Sequence, residues 1–229
     1  MLVASFQAPA FATNCWAIAT GRDQECILVD PGMPDVSDQV AMLCQEFNLK
    51  PVAVLITHGH LDHTFSIVPI CDGYAIPAYI HSQDRVLLTH PERALSPIFA
   101  AGVEGIQFTE PTDVRELRNG EVLELVGLSI KAIHAPGHTR GSLLYSIHET
   151  GAQYQLEEEI LVSGDVLFAG SIGRTDQPTG SAQDMEDTLK KKIWPLPDAM
   201  RVLPGHGSET TIGRERRVNP FLKNIGRSL

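Results

Sequence analysis

The sequence predicts an α/β protein made of two stacked, mixed β-sheets with helices on their outer faces. Two observations carry that expectation: the first half of the 229-residue chain alternates short apolar runs with segments of helical periodicity, and the second half does so again. No sequence repeat links the halves, so the likeness is one of pattern.

Taken in order, residues 2–6, 15–20 and 26–30 are short β-branched or apolar runs broken by polar or turn residues, as in antiparallel strands of a first sheet. Asp30-Pro31-Gly32 closes that block. Residues 35–48 set Val36, Val40, Leu43, Cys44 and Phe47 at helical spacing with Asp35 as the expected N-cap. The apolar run 52–56 reads as a buried strand, and a helix is expected over 64–70. Residues 78–80 form another strand, after which Ser82 is expected to cap a short helix reaching Leu88, before Pro91. Between Pro91 and Pro111 the periodicity weakens while Ile98, Phe99, Ile106 and Phe108 stay apolar, which fits either a flap over a cleft or a plain surface connection. Residues 121–134 alternate around Gly127, 142–148 and 159–163 read as strands, and 149–158 as a hairpin tip between them. A helix over 182–194 carries Met185, Leu189 and Ile193 on one stripe behind Ser181 as its cap, and Val202-Leu203 is the closing strand.

The length fits one domain spanning 1–229 better than two small ones. A net charge of −10 speaks against nucleic acid as a partner, because phosphate neutralisation needs a basic face. Cys15, Cys26, Cys44 and Cys71 show no C-x-x-C spacing in a chain too large to need disulfide staples, so reduced thiols and a cytoplasmic location are expected. The first twenty residues lack a basic start and a long apolar core, and neither a signal peptide nor a membrane span is expected.

Chemistry concentrates at Thr57-His58-Gly59-His60-Leu61-Asp62-His63, directly after the buried run 52–56. Unpaired imidazoles and a carboxylate at a strand end carry a desolvation cost that a divalent cation removes. His58 and His60, two apart in extended backbone, point to one face, whereas Asp62 and His63 follow a turn and point elsewhere; this suggests two metals. Three further Gly-flanked polar residues stand after apolar runs: His138 in Pro136-Gly137-His138, Asp165 in Ser163-Gly164-Asp165, and His206 in Pro204-Gly205-His206-Gly207. His58, His60 and His138 can then hold one metal, Asp62, His63 and His206 the second, and Asp165 can bridge them. Positions remain open for a bridging water or hydroxide. His81, His90, His134 and His148 fall outside the set and are read as capping, core or surface residues.

The H-x-H-x-D-H tract with His138, Asp165 and His206 resembles the metallo-β-lactamase superfamily over nearly the whole chain. That resemblance implies a four-layer αβ/βα sandwich with the metals at one edge. Gly164-Asp165-Val166-Leu167-Phe168, Gly173-Arg174-Thr175-Asp176 and Leu203-Pro204-Gly205-His206-Gly207 with Glu215-Arg216-Arg217-Val218-Asn219-Pro220-Phe221 are similar to the short glyoxalase II-like hydrolases. Those cleave S-acyl thiol conjugates such as hydroxyacylglutathione. The implied activity is thioester hydrolysis by a metal-bridging hydroxide, with two zinc ions, or iron or manganese, as cofactors and Asp62 and Asp165 as the catalytic carboxylates. It also puts a basic substrate-binding residue at Arg174, which either grips the carboxylate of the thiol carrier or pairs with Asp176. The same Gly-Arg-Thr-Asp and Glu-Arg…Asn-Pro stretches are similar to persulfide dioxygenases, which would place one iron on His58, His138 and Asp165. A non-catalytic metal-binding protein on this fold is a third reading, against which stands the complete ligand set.

Overall fold

The computed structural model describes residues 1–151 and 159–226. Strands β1 (Leu2–Gln7), β2 (Asn14–Ala19) and β3 (Glu25–Val29) pair antiparallel, and β4 (Lys50–Leu55), β5 (Ala78–His81) and β6 (Val114–Leu117) extend the sheet in parallel, in the order β1-β2-β3-β4-β5-β6. Strands β7 (Val122–Leu125), β8 (Leu128–His134), β9 (Leu143–Glu149), β10 (Ile160–Gly164), β11 (Arg201–Pro204) and β12 (Thr210–Thr211) form the second, in the order β12-β11-β10-β9-β8-β7.

Strand alternation decides the layers, because successive side chains leave opposite faces of a sheet. Trp16, Ile18, Ile27, Val29 and Leu55 of the first sheet meet Ile130, Leu143, Tyr145 and Val162 of the second in a shared core. Their neighbours Ala17, Leu28, Val54 and Ile56 face the other way, against α1 (Ser37–Phe47) and α3 (Ile67–Tyr74). On the far side Leu144, Leu161 and Val202 pack on α6 (Ala182–Thr188), α7 (Ile212–Val218) and α8 (Pro220–Gly226). The result is helix, sheet, sheet, helix, the expected four-layer sandwich. No helix among the described residues is long and apolar enough to cross a membrane.

Several expected details differ. Asp35 does not cap α1 from the N-cap position, which Val36 holds; its carboxylate instead accepts from the Ser37 amide (2.9 Å) and hydroxyl in a local turn. His81 stands at the N-cap of α4 (Ser82–Arg85), its Nδ1 accepting from the Gln83 amide at 3.3 Å, and Ser82 is the first helical residue. The helix expected over 64–70 is split into α2 (Leu61–Thr64) and α3, so that Asp62 and His63 are themselves helical. The helix expected over 182–194 is α6 continued by a π-helical segment Leu189–Ile193, and Ser181 does cap it, accepting from the Asp184 amide. Val202-Leu203 is not the sheet edge, because β12 pairs outside β11. Of the hairpin tip expected over 149–158, residues 152–158 lie outside the described residues. The segment 91–111 contains a 3-10 turn Pro91–Ala94 and the short helix α5 (Pro97–Gly102).

A candidate metal centre at one edge of the sandwich

All seven predicted ligands sit where strands end on the same edge: after β4, between β8 and β9, after β10 and after β11. β4 is a central parallel strand buried almost throughout, so its loop is delivered into the interior. Gly164 adopts φ +48 just before Asp165. At Gly205 an added Cβ would stand 2.2 Å from Asp165 Oδ1, so only glycine lets the His206 loop approach the carboxylate.

The ligand atoms converge. His58 Nε2 lies 3.2 Å from His60 Nδ1, and His138 Nε2 lies 2.8 Å from the same His60 nitrogen. His63 Nε2 and His206 Nε2 are 3.2 Å apart, with Asp62 Oδ2 3.5 Å from the first and 3.3 Å from the second. Asp165 reaches both groups, its Oδ1 3.4 Å from His63 Nε2 and its Oδ2 3.6 Å from His138 Nε2 and 3.5 Å from His206 Nε2. Two nitrogens bound to one tetrahedral zinc at about 2.0–2.1 Å would stand roughly 3.3 Å apart. The spacing therefore suits shared coordination.

Residues behind the ligands fix which nitrogen faces inward. Buried Asp30 accepts from the Thr57 amide (2.8 Å), the Thr57 hydroxyl (2.6 Å) and His63 Nδ1 (2.9 Å). With its proton given to Asp30, the Thr57 hydroxyl accepts from His58 Nδ1 at 3.0 Å. His138 Nδ1 donates to the Arg174 carbonyl (2.8 Å) and His206 Nδ1 to the Phe11 carbonyl (3.1 Å). Each of these four rings thus turns an Nε2 lone pair toward the cluster, the arrangement that second-layer partners impose on metal-binding histidines. His60 is reversed and presents Nδ1.

Burial, reinforced by the neighbouring imidazoles, holds His58 and His60 well below the usual histidine range, so both are neutral donors. Burial would lower His63 too, but the carboxylates of Asp62, Asp165 and Asp30 outweigh it and carry its pKa up to about 10. Burial would raise Asp62, yet His63 and His206 pull it well below the carboxylate range. Three carboxylates packed around His63 demand positive charge. Asp165 Oδ1, buried without a hydrogen-bond partner, and lone pairs facing each other at 2.8–3.2 Å are what a cation between them would satisfy. The residues fit a divalent metal.

A cavity of about 440 Å³ opens beside the cluster, lined by His60, Asp62, His138 and Asp165 and by Phe11, Met33, Leu61, Leu95, Phe99 and Arg174. Arg174 lines this cavity, and its guanidinium is paired with Asp176 at 2.7 and 2.8 Å.

Composition and spacing did not reveal the supporting residues. Asp84, fully buried, accepts from the Gly59 amide (2.9 Å), the Thr139 hydroxyl (2.6 Å) and the Gly141 amide (2.7 Å), tying the 58–60 loop to the His138 loop. Asn14 Nδ2 donates to the Pro204 and Gly207 carbonyls, at 3.0 and 2.8 Å, and so brackets His206. In sequence Asp84 reads as an ordinary first-turn acid and Asn14 as a loop residue. Asp30 alone left a signal, at the end of an apolar run.

The family model described as the metallo-beta-lactamase superfamily matches residues 8–206, which contain every residue of the cluster. The chain belongs to the metallo-beta-lactamase superfamily. Within it, the chain is 40% identical over 228 residues to an uncharacterized protein of Mycobacterium tuberculosis (99% of this chain, 100% of that one). It is 32% identical over 217 residues to hydroxyacylglutathione hydrolase GloC of Haemophilus influenzae, covering 94% of this chain and 95% of that one. Among solved structures it is similar to the BLEG-1 B3 metallo-beta-lactamase (32% identity, TM-score 0.79, 96% and 99% of the two chains). TTHA1623 in a di-iron-bound form is similar too (30% identity, TM-score 0.75, 96% and 100%). Membership places the chain among metallo-hydrolases, and its His/Asp cluster suits divalent metal binding.

Proposed function

We propose that the protein is a hydrolase with two divalent metal ions, most simply zinc, that cleaves the thioester of an S-acyl glutathione or similar thiol conjugate. The observation that carries this is the pair of triads meeting at Asp165: His58, His60 and His138 on one side, Asp62, His63 and His206 on the other. His58, His60 and His138 would hold the first ion through Nε2, Nδ1 and Nε2, and Asp62, His63 and His206 the second. Asp165, within reach of both groups, is placed to bridge. Ions bound there would supply Lewis acidity and lower the pKa of a water to about 7.

The chain's own groups then orient and balance charge. Asp62 and Asp165 line the cavity, where their carboxylate oxygens can orient an attacking water by accepting a hydrogen bond from it. Asp30 and Thr57 keep His58 and His63 in the tautomers that face the site. The leaving thiolate, with an ordinary pKa near ~8.5, departs without a strong acid, and no lysine or tyrosine is among the cavity residues to serve as one. That suits a thioester better than an amide. The likeness to GloC supports the same class. A single iron on His58, His138 and Asp165 would leave the second triad idle, although its donor atoms converge within 3.5 Å of one another.

We take 1–229 as one domain because Asn14 and Trp16 of the first sheet bond the Pro204 carbonyl of the second. The four buried free cysteines suit a reducing cytoplasm. The experiment is turnover of S-lactoylglutathione, followed by released thiol, beside oxygen uptake with glutathione persulfide. Thiol release without oxygen consumption is expected; oxygen consumption with no thioester cleavage would overturn the proposal.

A further inference from the structure

The helix α5 carries Ile98, Phe99, Ala100 and Ala101, and none of its residues is buried. So short a helix gains little from propensity, and an apolar one is ordinarily held by a core face, which this one lacks. What it adjoins is the cavity of the metal centre. Phe99 lines that cavity, whereas Ile98, on the same helix, is 84% exposed and takes no part in it.

Phe99 meets Phe11 edge to face, with ring centroids 6.3 Å apart. Both are more than half exposed, 53% and 58%. Phe11 comes from the turn between β1 and β2 at φ +61, and its carbonyl accepts from His206 Nδ1, so its backbone is tied to the cluster. Met33, Leu61 and Leu95 continue the apolar wall toward Asp62 and His60. Arg174 also lines that wall, with its guanidinium closed on Asp176. Aromatic surface of this extent beside a polar reaction centre leaves a place for an apolar group joined to a polar one.

We propose that Phe11 and Phe99 form a clamp for a bulky apolar, above all aromatic, substituent of the acyl group. This rests on the thioester reading above and narrows it. A ring laid against the exposed surface of the two phenylalanines, which already touch each other edge to face, turns wet aromatic surface into buried contact, whereas a methyl group in the same place leaves most of it wet. The preference should appear in kcat/KM, because the same contact positions the carbonyl at the cluster.

The test compares S-mandeloylglutathione with S-lactoylglutathione, which share thiol and α-hydroxyl and differ in phenyl against methyl. The metal-loaded protein should favour the mandeloyl ester by about tenfold, a ratio that Phe99→Ala abolishes and Ile98→Ala keeps. Calorimetry with the uncleavable thioethers S-(2-hydroxy-2-phenylethyl)glutathione and S-(2-hydroxypropyl)glutathione should show the same Phe99-dependent preference in binding. Equal turnover of the two thioesters, or equal losses on both in Phe99→Ala, would remove the clamp and leave the thioester reading standing. Cleavage of neither, with phenyl thioether binding still dependent on Phe99, would do the reverse. A Phe99-dependent dimer in sedimentation, with an unaltered substrate ratio, would assign α5 to contact between copies and overturn the clamp.

Discussion

Replacing Asp84 with alanine should damage both stability and metal binding, although Asp84 lines neither the cluster nor the cavity. Its buried carboxylate takes three hydrogen bonds, from Gly59, Thr139 and Gly141, and two of the donors are main-chain amides with no freedom to turn elsewhere. Leaving a buried donor unsatisfied costs roughly 1–3 kcal/mol, and three that share one acceptor do not add fully, so a loss on the order of 3–5 kcal/mol is expected. For a chain of this size each kcal/mol lowers the melting temperature by about 2–4 °C, which puts the fall on the order of 10 °C. The two histidine loops lose their common anchor at the same time. Metal affinity should therefore drop about 10- to 100-fold, the range seen when residues behind ligands are removed. Thermal unfolding of the metal-free protein and competition with a chelator measure the two effects separately. An Asp84→Ala protein that melts within 2 °C of the parent and holds metal equally well would refute the reasoning.

Three more expectations follow from the geometry. If Arg174 opens from Asp176 to take a carboxylate of the carrier, Arg174→Ala should raise KM for a glutathione thioester with little loss of kcat and spare a truncated thioester; equal impairment of both would show a structural ion pair instead. The segment 91–111, which holds the unburied α5, should exchange its amide protons faster than β4 and slow when ligand binds, and unchanged slow exchange would rule out a gate. The metal-free protein should lose stability in two directions. Below pH 6.5 the neutral buried His58 and His60 cost stability because the unfolded chain takes up protons more readily. The contribution of His63, raised from 6.5 to about 10, is full below 6.5 and fades as pH climbs to 10. Denaturant titrations across that range check it, and loading with metal, which replaces the proton on His63, should flatten the alkaline limb.

The strands that bury both faces were legible in the sequence because their patterns admit one reading: 52–56 is an uninterrupted apolar run, and Ile160-Leu161-Val162 is a shorter one between Glu159 and Ser163. The clustering of the seven His and Asp residues was legible for a related reason, since His and Asp beside glycine at strand ends have no cheaper structural explanation. What sequence did not show was pairing that depends on distant residues. β6 is four residues with two exposed charges and is a strand only because β5 offers it an edge. Val36 took the N-cap expected for Asp35, its amide bonded to the Ser66 hydroxyl 30 residues away, a partner no local window contains. Asp84 and Asn14 escaped for the same cause: the loop groups they tie down around the cluster lie between 25 and 193 residues off along the chain.

The central claim is that two metals share Asp165. Anomalous diffraction from crystals of the protein grown with zinc tests it most directly. Two peaks should appear, one bounded by His58, His60 and His138 and one by Asp62, His63 and His206, each within coordinating distance of an Asp165 oxygen. A single peak at full metal saturation, or two peaks with Asp165 turned away from either, would contradict the account.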